Sequence, residues 1–308
     1  MDAYIIGKLI KEFRIRKGYS QEELCYGICA VSTLSRIESG NQVPNKKTAE
    51  ALLSRLGETL SENSMIMSKI EIERMNIESK IKSKILKADY EIADLLGDYL
   101  DLGEMPPLEQ QTYMLFMSIY KKRHQTELLE VMESFSEALK ITMPDFQIGE
   151  KIRHNLLTAT ELILINNIAL IAYSMKEERN AIALMEFLKT YFEKNSVSEQ
   201  EKSQNYPVIL FNLSNWKGLA GFYKEAQTLA ETGIKVCSLY GRLAYYPLFI
   251  FNKGWCLYKL GETKDGIWHM KNSLTNLNYQ ERFVELDDLV SQLKEDLGIE
   301  FKEEDYRR

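Results

Sequence analysis

The chain has few of the residues that would indicate β-structure, a disulfide framework or a metal site. Its 308 residues include only six prolines, sixteen glycines, four cysteines and three histidines. So little proline and glycine argues against a β-rich or disordered chain. Four scattered cysteines suit buried thiols in a reducing cytoplasm better than disulfides or metal ligands. Because there is no run of eighteen apolar residues and no signal-peptide core, we expect a cytoplasmic protein without a membrane segment.

The sequence also lacks the motifs that are typical of catalytic sites. The sequence has no glycine-rich phosphate loop, no Gly-x-Ser-x-Gly nucleophile motif and no His-Glu-x-x-His zinc motif. The three histidines, His124, His154 and His269, lie far apart in sequence and in no recognisable catalytic motif. We therefore predict that the protein is not an enzyme and needs neither a metal nor another cofactor.

Apolar residues recur at helical spacing along most of the chain, with no strand-like alternation of useful length. This pattern predicts an all-α fold. Charge divides the chain unevenly: residues 1–60 hold nine Lys or Arg and seven Asp or Glu, whereas the whole chain has a net charge of -6. This distribution suits a mildly basic N-terminal domain that binds phosphate groups, followed by an acidic domain that does not.

The segment from Ser20 to Asn41 predicts two short helices joined by a tight turn around residues 29–31. A capping box at Ser20 and Glu23 begins the first helix, and Gly40 ends the second. The outward face of the second helix carries short polar residues and one arginine, namely Ser32, Thr33, Ser35 and Arg36. Such a face can approach a DNA groove closely and offers donors to base edges and phosphates.

Further helical patterns precede and follow this pair, so we expect five helices in residues 1–60. The phrases IRKGYSQEEL and LSRIESGNQVP resemble the helix-turn-helix domain of the phage-repressor (XRE) class. That resemblance implies a lambda-repressor-like domain in which Arg14 and Glu38 form a structural ion pair.

We expect a homodimer on an inverted repeat in double-stranded DNA, because one weakly basic domain would bind poorly alone. Gln21, at the start of a helix, is expected to hold a phosphate. The predicted DNA contacts are Gln21, Ser32, Thr33, Ser35, Arg36, Asn41, Gln42, Lys46 and Lys47.

The rest of the chain contains an internal repeat anchored on Asn167, Asn212 and Asn252. Small residues follow each anchor at two and fourteen positions, and the ninth position is Lys176, Gly221 or Gly261. Small residues allow the two helices of a hairpin to approach closely, and glycine suits the turn between them. The pattern resembles the tetratricopeptide repeat, so residues 61–308 are predicted to form an α-solenoid.

Weaker signals extend the solenoid in both directions. Upstream, apolar spacing predicts a hairpin over residues 64–84 and 88–99. Residues 60–87 are also expected to join head and body and to transmit ligand binding to the spacing of the heads. At the other end, residues 282–297 are predicted to form a capping helix.

The first helix of each repeat presents amides and aromatic rings that suit an extended peptide. An asparagine amide has one acceptor and two donors, and so can hold a peptide unit at both its C=O and N–H. The alternative is that these amides satisfy helix ends and that the phenylalanines are core. The predicted peptide contacts are Asn166, Asn167, Tyr173, Phe211, Asn212, Asn215, Asn252, Trp255 and Tyr258.

Head and repeats together resemble the Rgg/PlcR/PrgX type of cytoplasmic peptide-pheromone receptor of Gram-positive bacteria. The resemblance implies quorum sensing by a dimeric DNA-binding regulator whose repeats bind a short linear peptide. Two alternatives stay open: the repeats could bind a protein partner, or they could only dimerise a ligand-independent repressor.

Overall fold

The computed structural model describes residues 3–59, 68–124, 127–153 and 156–306. This part of the chain is all-α: it forms fifteen α-helices and no β-strand. The chain divides into two compact units, Met1–Ser198 and Glu199–Arg308, called here the first and second units. None of the described helices is both long and apolar enough to cross a membrane.

The head of the first unit consists of four helices: α1 (Ala3–Arg16), α2 (Gln21–Cys25), α3 (Val31–Glu38) and α4 (Lys46–Arg55). Their inward faces supply one apolar core, with Ile10, Leu24, Leu34 and Leu52 fully buried. The expected fifth helix is absent from residues 3–59, and residues 60–67 lie outside the described part of the chain. The capping box of α2 is present: Ser20 Oγ accepts from the N–H of Glu23, whose carboxylate accepts from the N–H of Ser20.

Three helical pairs complete the first unit. They are α5 (Lys69–Leu86) with α6 (Ala93–Asp101), α7 (Pro107–Arg123) with α8 (Leu128–Lys140), and α9 (Ala159–Ser174) with α10 (Glu178–Lys194). Capping boxes begin two of these helices, at Ser68–Glu71 for α5 and Thr158–Glu161 for α9. The hairpin predicted from residue 64 therefore begins later among the described residues, and residues 64–67 lie outside them.

The second unit contains α11 (Glu199–Leu219), α12 (Tyr223–Tyr240), α13 (Tyr246–Lys259), α14 (Thr263–Tyr279) and α15 (Phe283–Leu297). Packing of α13 on α14 depends on two glycines. A Cβ atom on Gly266 would lie 2.7 Å from the carbonyl oxygen of Gly254, so nothing larger fits without separating the helices. Leu286 and Leu293 of α15 are fully buried and cover the end of this core.

The repeat register extends across both units, each taken separately. The ninth residue after each asparagine anchor has a left-handed backbone: φ is +67° at Lys176, +87° at Gly221 and +93° at Gly261. The tetratricopeptide-like fold predicted from the sequence is thus confirmed, including a turn position where the sequence has lysine instead of glycine. Left-handed φ is strained for a residue with a side chain, so the hairpin's packing must impose it.

Candidate DNA and ligand interfaces

Helix α3 has one buried face and one free face. Leu34 and Ile37 are buried in the head core, which fixes the rotation of the helix. Ser32, Ser35 and Arg36 are exposed, and Thr33 is partly exposed. Within the described residues, none of these four outward side chains makes a hydrogen bond or ion pair. Their polar groups are therefore available to an external ligand.

The turn before α3 differs from the sequence prediction. Helix α2 ends at Cys25, and the turn spans residues 26–30 rather than 29–31. Its left-handed residue is Gly27, with φ of +66°. A Cβ atom there would lie 1.9 Å from the carbonyl oxygen of Thr142, so Gly27 also permits close contact between the turn and the end of α8.

Arg14 and Glu38 form a bidentate pair between α1 and the end of α3. Arg14 Nε lies 2.6 Å from Glu38 Oε1, and a second guanidinium nitrogen lies 2.8 Å from Oε2. Gln21 Nε2 also donates to Oε2, at 2.8 Å. Burial would raise the pKa of Glu38, but these hydrogen bonds and the Arg14 charge bring it below its ordinary value. The Gln21 side chain therefore has a hydrogen-bonding role within the head, in addition to the phosphate contact predicted for it.

The two lysines at the start of α4 have partners within the chain. Lys47 Nζ lies 2.7 Å from Glu78 Oε2 on α5, and Lys46 Nζ lies 2.8 Å from Met75 Sδ. Both side chains are mostly buried, at 12% exposure for Lys46 and 22% for Lys47. This geometry argues against the expected role of both lysines as phosphate contacts. Asn41 and Gln42 are exposed and keep that prediction open.

A fully buried ion pair attaches the head to α9. Arg55, the last residue of α4, lies 2.9 Å from Glu161 Oε1, and the two side chains are 1% and 0% exposed. Arg55 also donates to the carbonyl oxygens of Leu24 and Tyr26 at the end of α2. The other oxygen of Glu161 completes the capping box of α9 by accepting from the N–H of Thr158.

Neighbouring contacts reinforce this attachment. Ser54 Oγ accepts from the N–H of Ala159 at 2.9 Å, so a head side chain caps the first turn of α9. The hydroxyl of Tyr26 donates to Asp145 Oδ1 at 2.8 Å. The head is thus fixed to the repeats of the first unit by polar contacts, of which the Arg55–Glu161 pair is fully buried. The sequence does not predict this arrangement.

In the second unit, α11, α13 and α15 enclose a narrow cleft with only about 10 Å³ of water-accessible space. It brings together three of the predicted peptide contacts, Asn215, Asn252 and Trp255, and adds Gln292 of α15. The amide of Asn215 has no hydrogen bond within the described residues. Asn252 Nδ2 has only a long contact, 3.5 Å to Ser214 Oγ. These amides retain most of their capacity to bind a ligand.

Trp255, one of the residues that line this cleft, has an unsatisfied donor. Its ring is 9% exposed and packs edge-on against Tyr223, with centroids 5.7 Å apart. Its indole Nε1 is buried without a hydrogen-bond partner among the described residues. A buried donor without a partner costs about 1–3 kcal/mol, which a ligand acceptor would recover.

The other predicted peptide contacts of the second unit lie outside the lining of this cleft. Phe211 packs against Phe249 with ring centroids 6.0 Å apart, as the alternative core interpretation expects. Asn212 is partly buried and has no hydrogen bond within the described chain. Tyr258 packs partly buried on the core around α13–α15.

Asn166, Asn167 and Tyr173 lie on α9 in the first unit, and all three are partly buried. Asn166 Oδ1 is buried without a partner in the described structure. Asn167 donates its Nδ2 to the carbonyl oxygen of Ile163 at 2.9 Å, and its Oδ1 lies 3.4 Å from Lys122 Nζ on α7. Lys122 was not predicted as a site residue.

The four cysteines are free thiols in the structure, and Cys25, Cys237 and Cys256 are buried. Burial raises the pKa of Cys29 and Cys237 to about 11 and that of Cys256 to about 12. Among the described residues, no group of His, Cys, Asp and Glu side chains is arranged to hold a metal ion. Thiols with such pKa values remain protonated at neutral pH.

Comparison with known proteins extends these observations. Residues 10–63 match the model of the Helix-turn-helix family. Among curated proteins, no sequence matches the chain significantly. PlcR of Bacillus thuringiensis in complex with the peptide PapR7 and DNA superposes with a TM-score of 0.58 at 20% identity, covering 92% of this chain and 98% of PlcR.

Two further structures agree. Apo PlcR matches with a TM-score of 0.58 at 18% identity, covering 94% of this chain and 99% of its own. Apo ComR of S. thermophilus matches with a TM-score of 0.50 at 17% identity, covering 96% of this chain and 100% of its own. The chain therefore carries a helix-turn-helix domain at residues 10–63, and head and repeats together share the fold of PlcR.

Proposed function

We propose that this protein is a cytoplasmic, homodimeric transcription regulator that senses a short linear peptide in quorum sensing. The proposal rests on one observation. The chain has the fold of a regulator crystallised with peptide and DNA, and both candidate interfaces carry polar groups that have no hydrogen-bond partner within the described residues. The free face of α3 would bind an inverted repeat. Amides and rings on the first helices of the repeats would bind the peptide.

The DNA interface rests on the contrast between the two faces of α3. Its buried side is fixed by the core, so the exposed Ser32, Ser35 and Arg36 project from a rigid support. The short serines permit close approach to base edges, and Arg36 supplies the one exposed cation of the helix. Arg14 is excluded from DNA contact because its guanidinium is occupied by Glu38.

Selection from random-sequence DNA tests this interface. We expect the full-length protein to enrich an inverted repeat, as a dimer with one α3 per half-site would. Arg36→Ala should weaken specific binding by about 1–3 kcal/mol and relax preference at one position of each half-site. Lys224→Ala, which removes an exposed cation of α12, is the charge-matched control. Failure to enrich any sequence would count against DNA reading by α3.

The peptide interface rests on the cleft of the second unit. An extended peptide has backbone N–H and C=O groups at regular intervals, and Asn215 and Asn252 offer matching donors and acceptors. The unpaired indole N–H of Trp255 adds a third donor. Because the cleft has only about 10 Å³ of water-accessible space, we expect a peptide to bind across its open side rather than inside it.

Affinity selection from a random heptapeptide mixture on the full chain tests peptide binding. Asn215→Ala and Asn252→Ala should each weaken binding of a selected peptide by roughly five- to a hundredfold, because each leaves a peptide group unpaired at a cost of about 1–3 kcal/mol. Asn278→Ala on α14, outside the cleft lining, is the control. Peptide capture with unchanged affinity in both cleft variants would refute this site. A dimer that binds DNA but captures no peptide would be a ligand-independent repressor.

A further inference from the structure

The loop between α8 and α9 forms a pocket that neither proposed interface uses. This pocket has about 190 Å³ of water-accessible space, whereas the cleft of the second unit has only about 10 Å³. One water needs about 10–15 Å³ of such space, so the pocket has room for on the order of ten waters. That room suits a small molecule of about ten non-hydrogen atoms.

The loop is ordered by its own backbone and by its attachment to α7. The N–H of Phe146 donates to the carbonyl oxygen of Met143 at 3.0 Å, which closes a turn. Gln111 of α7 donates to the hydroxyl of Thr142 at 2.7 Å, and both of these side chains are buried. Because the pocket is already formed, a ligand would not have to order it on binding.

The lining of the pocket combines buried apolar side chains with charges of both signs. Met143 and Phe146 supply the apolar part and are only 1% and 4% exposed. The charged lining residues are two carboxylates and two cations, without net charge: Asp145, Glu150, Lys151 and Arg153. Within the described residues, the side chains of Glu150, Lys151 and Arg153 make no hydrogen bond or ion pair. These three charges are therefore available to a ligand.

This lining matches a zwitterion with an apolar side chain. A nucleotide or another polyanion would meet the two carboxylates, and an interior residue of a peptide carries neither of the backbone charges. A free amino acid carries both, so its ammonium group can donate to carboxylates while its carboxylate accepts from Lys151 and Arg153. Its side chain would then pack against Met143 and Phe146.

We propose that the loop between α8 and α9 binds a free amino acid with an apolar side chain, as a second ligand in addition to the peptide. Glu150 and Asp145 bind its ammonium group, and Lys151 and Arg153 bind its carboxylate. Binding of the amino acid does not depend on the function proposed above. Only an effect on DNA binding rests on that function.

The same loop contacts the turn of the helix-turn-helix, residues 26–30. The hydroxyl of Tyr26 donates to Asp145 Oδ1 at 2.8 Å. Gly27 lies so close to Thr142 that a Cβ atom on it would be 1.9 Å from the Thr142 carbonyl oxygen. A bound ammonium group would compete with Tyr26 for Asp145, so a filled pocket would alter the turn that precedes α3.

Calorimetry on the full-length protein tests the pocket with leucine, isoleucine, valine, methionine and phenylalanine. We expect at least one of them to bind. The amide and the N-acetyl form of the tightest amino acid each lack one charge, and each should bind about 10- to 100-fold more weakly.

Two variants assign the two charges of the ligand to the pocket. Glu150→Gln and Arg153→Met should each weaken binding of the amino acid by about 10- to 100-fold, because each removes a charged partner. Glu137→Gln on α8 and Lys194→Met on α10 are the matched controls, since both residues are exposed and lie outside the pocket lining. All four changes are at exposed positions, so we expect the variants to fold.

Hydrogen exchange tests the contact with the turn. In the parent, the bound amino acid should change exchange at residues 26–30 as well as at residues 143–153. Tyr26→Phe removes the hydrogen bond to Asp145, so this variant should still bind the amino acid but lose most of the change at residues 26–30.

Three results would overturn the proposal. The first is no binding of any of the five amino acids at concentrations up to about 10 mM. The second is equal binding of the amide or N-acetyl form, or unchanged affinity in both Glu150→Gln and Arg153→Met, since the ligand would then bind elsewhere. The third is a filled pocket with unchanged exchange at residues 26–30. If the amino acid binds and alters the turn while selection enriches no DNA sequence, the pocket stands and the proposed DNA-binding function fails.

Discussion

The buried pair between Arg55 and Glu161 predicts that the head cannot separate from the first repeats without a large loss of stability. We consider Glu161→Gln, which removes the charge but keeps an N3 side chain that suits the capping box with Thr158. With its single amide oxygen kept on the N–H of Thr158, the new side chain leaves the guanidinium of Arg55, 1% exposed, with only backbone carbonyl acceptors. Breaking a buried pair in this way costs about 3–5 kcal/mol.

Urea unfolding followed by circular dichroism measures this loss, and hydrogen exchange at α4 and α9 locates it. We expect a fall in unfolding free energy of about 3–5 kcal/mol and faster exchange in both helices. Glu285→Gln is the control, because its pair with Arg282 is 45% exposed at the carboxylate and should contribute less than about 1 kcal/mol.

A second variant separates charge burial from loss of packing. In Arg55→Met with Glu161→Gln, neither member is charged, so most of the lost stability should return. A loss below about 1 kcal/mol in Glu161→Gln, with unchanged exchange in α4, would show that the pair does not attach the head. A double variant no more stable than Glu161→Gln would show that the packing of Arg55, rather than its charge, is what matters.

Three further predictions follow from burial and close packing. Burial raises the pKa of Glu109 above its value in the unfolded chain, so ionisation of this carboxyl destabilises the folded state as the pH rises. Glu109→Gln should therefore raise the melting temperature at pH 7, and this gain should disappear below about pH 4.5. Gly266→Ala should destabilise by about 1–3 kcal/mol in urea unfolding because its Cβ meets the backbone of α13, whereas Gly97→Ala, with open space in α6, should stabilise by about 0.5–1 kcal/mol; equal effects would contradict the close approach. Cys29, with a pKa raised to about 11 by burial, should react with iodoacetamide at pH 8 far more slowly than the same thiol in urea, and equal rates would contradict its burial.

The fold could be predicted from the sequence because its determinants are local or strictly periodic. The capping box at Ser20 and the apolar stripes of α3 specify helices from a few neighbouring residues. The repeat register is equally informative, since small residues at fixed spacing specify where two helices touch. It places the turn between the two helices at Lys176, where the structure has a left-handed backbone that residue type alone argues against.

The polar contacts could not be predicted, because they depend on which surfaces meet. In the sequence, Arg55 is an ordinary basic residue at a helix end and Glu161 is an ordinary capping residue. In the structure they form an ion pair, although they lie 106 positions apart in the chain. The sequence predicts that Lys47 contacts phosphate, whereas in the structure its ammonium group pairs with Glu78 of α5. Gln292 has no sequence signal at all, because its significance comes only from the cleft that α15 helps to enclose.

These unforeseen contacts change how a signal could reach DNA. A linker over residues 60–87 was expected to let ligand binding alter the spacing of the heads. Residues 60–67 lie outside the described chain, but α5 is held to the head by Lys47 and Glu78, and α9 is held by Arg55 and Glu161. The head must then move with the repeats of the first unit as one body. A ligand would therefore reposition α3 by moving that whole unit, because breaking the buried pair costs more than the 1–3 kcal/mol typical of allosteric coupling.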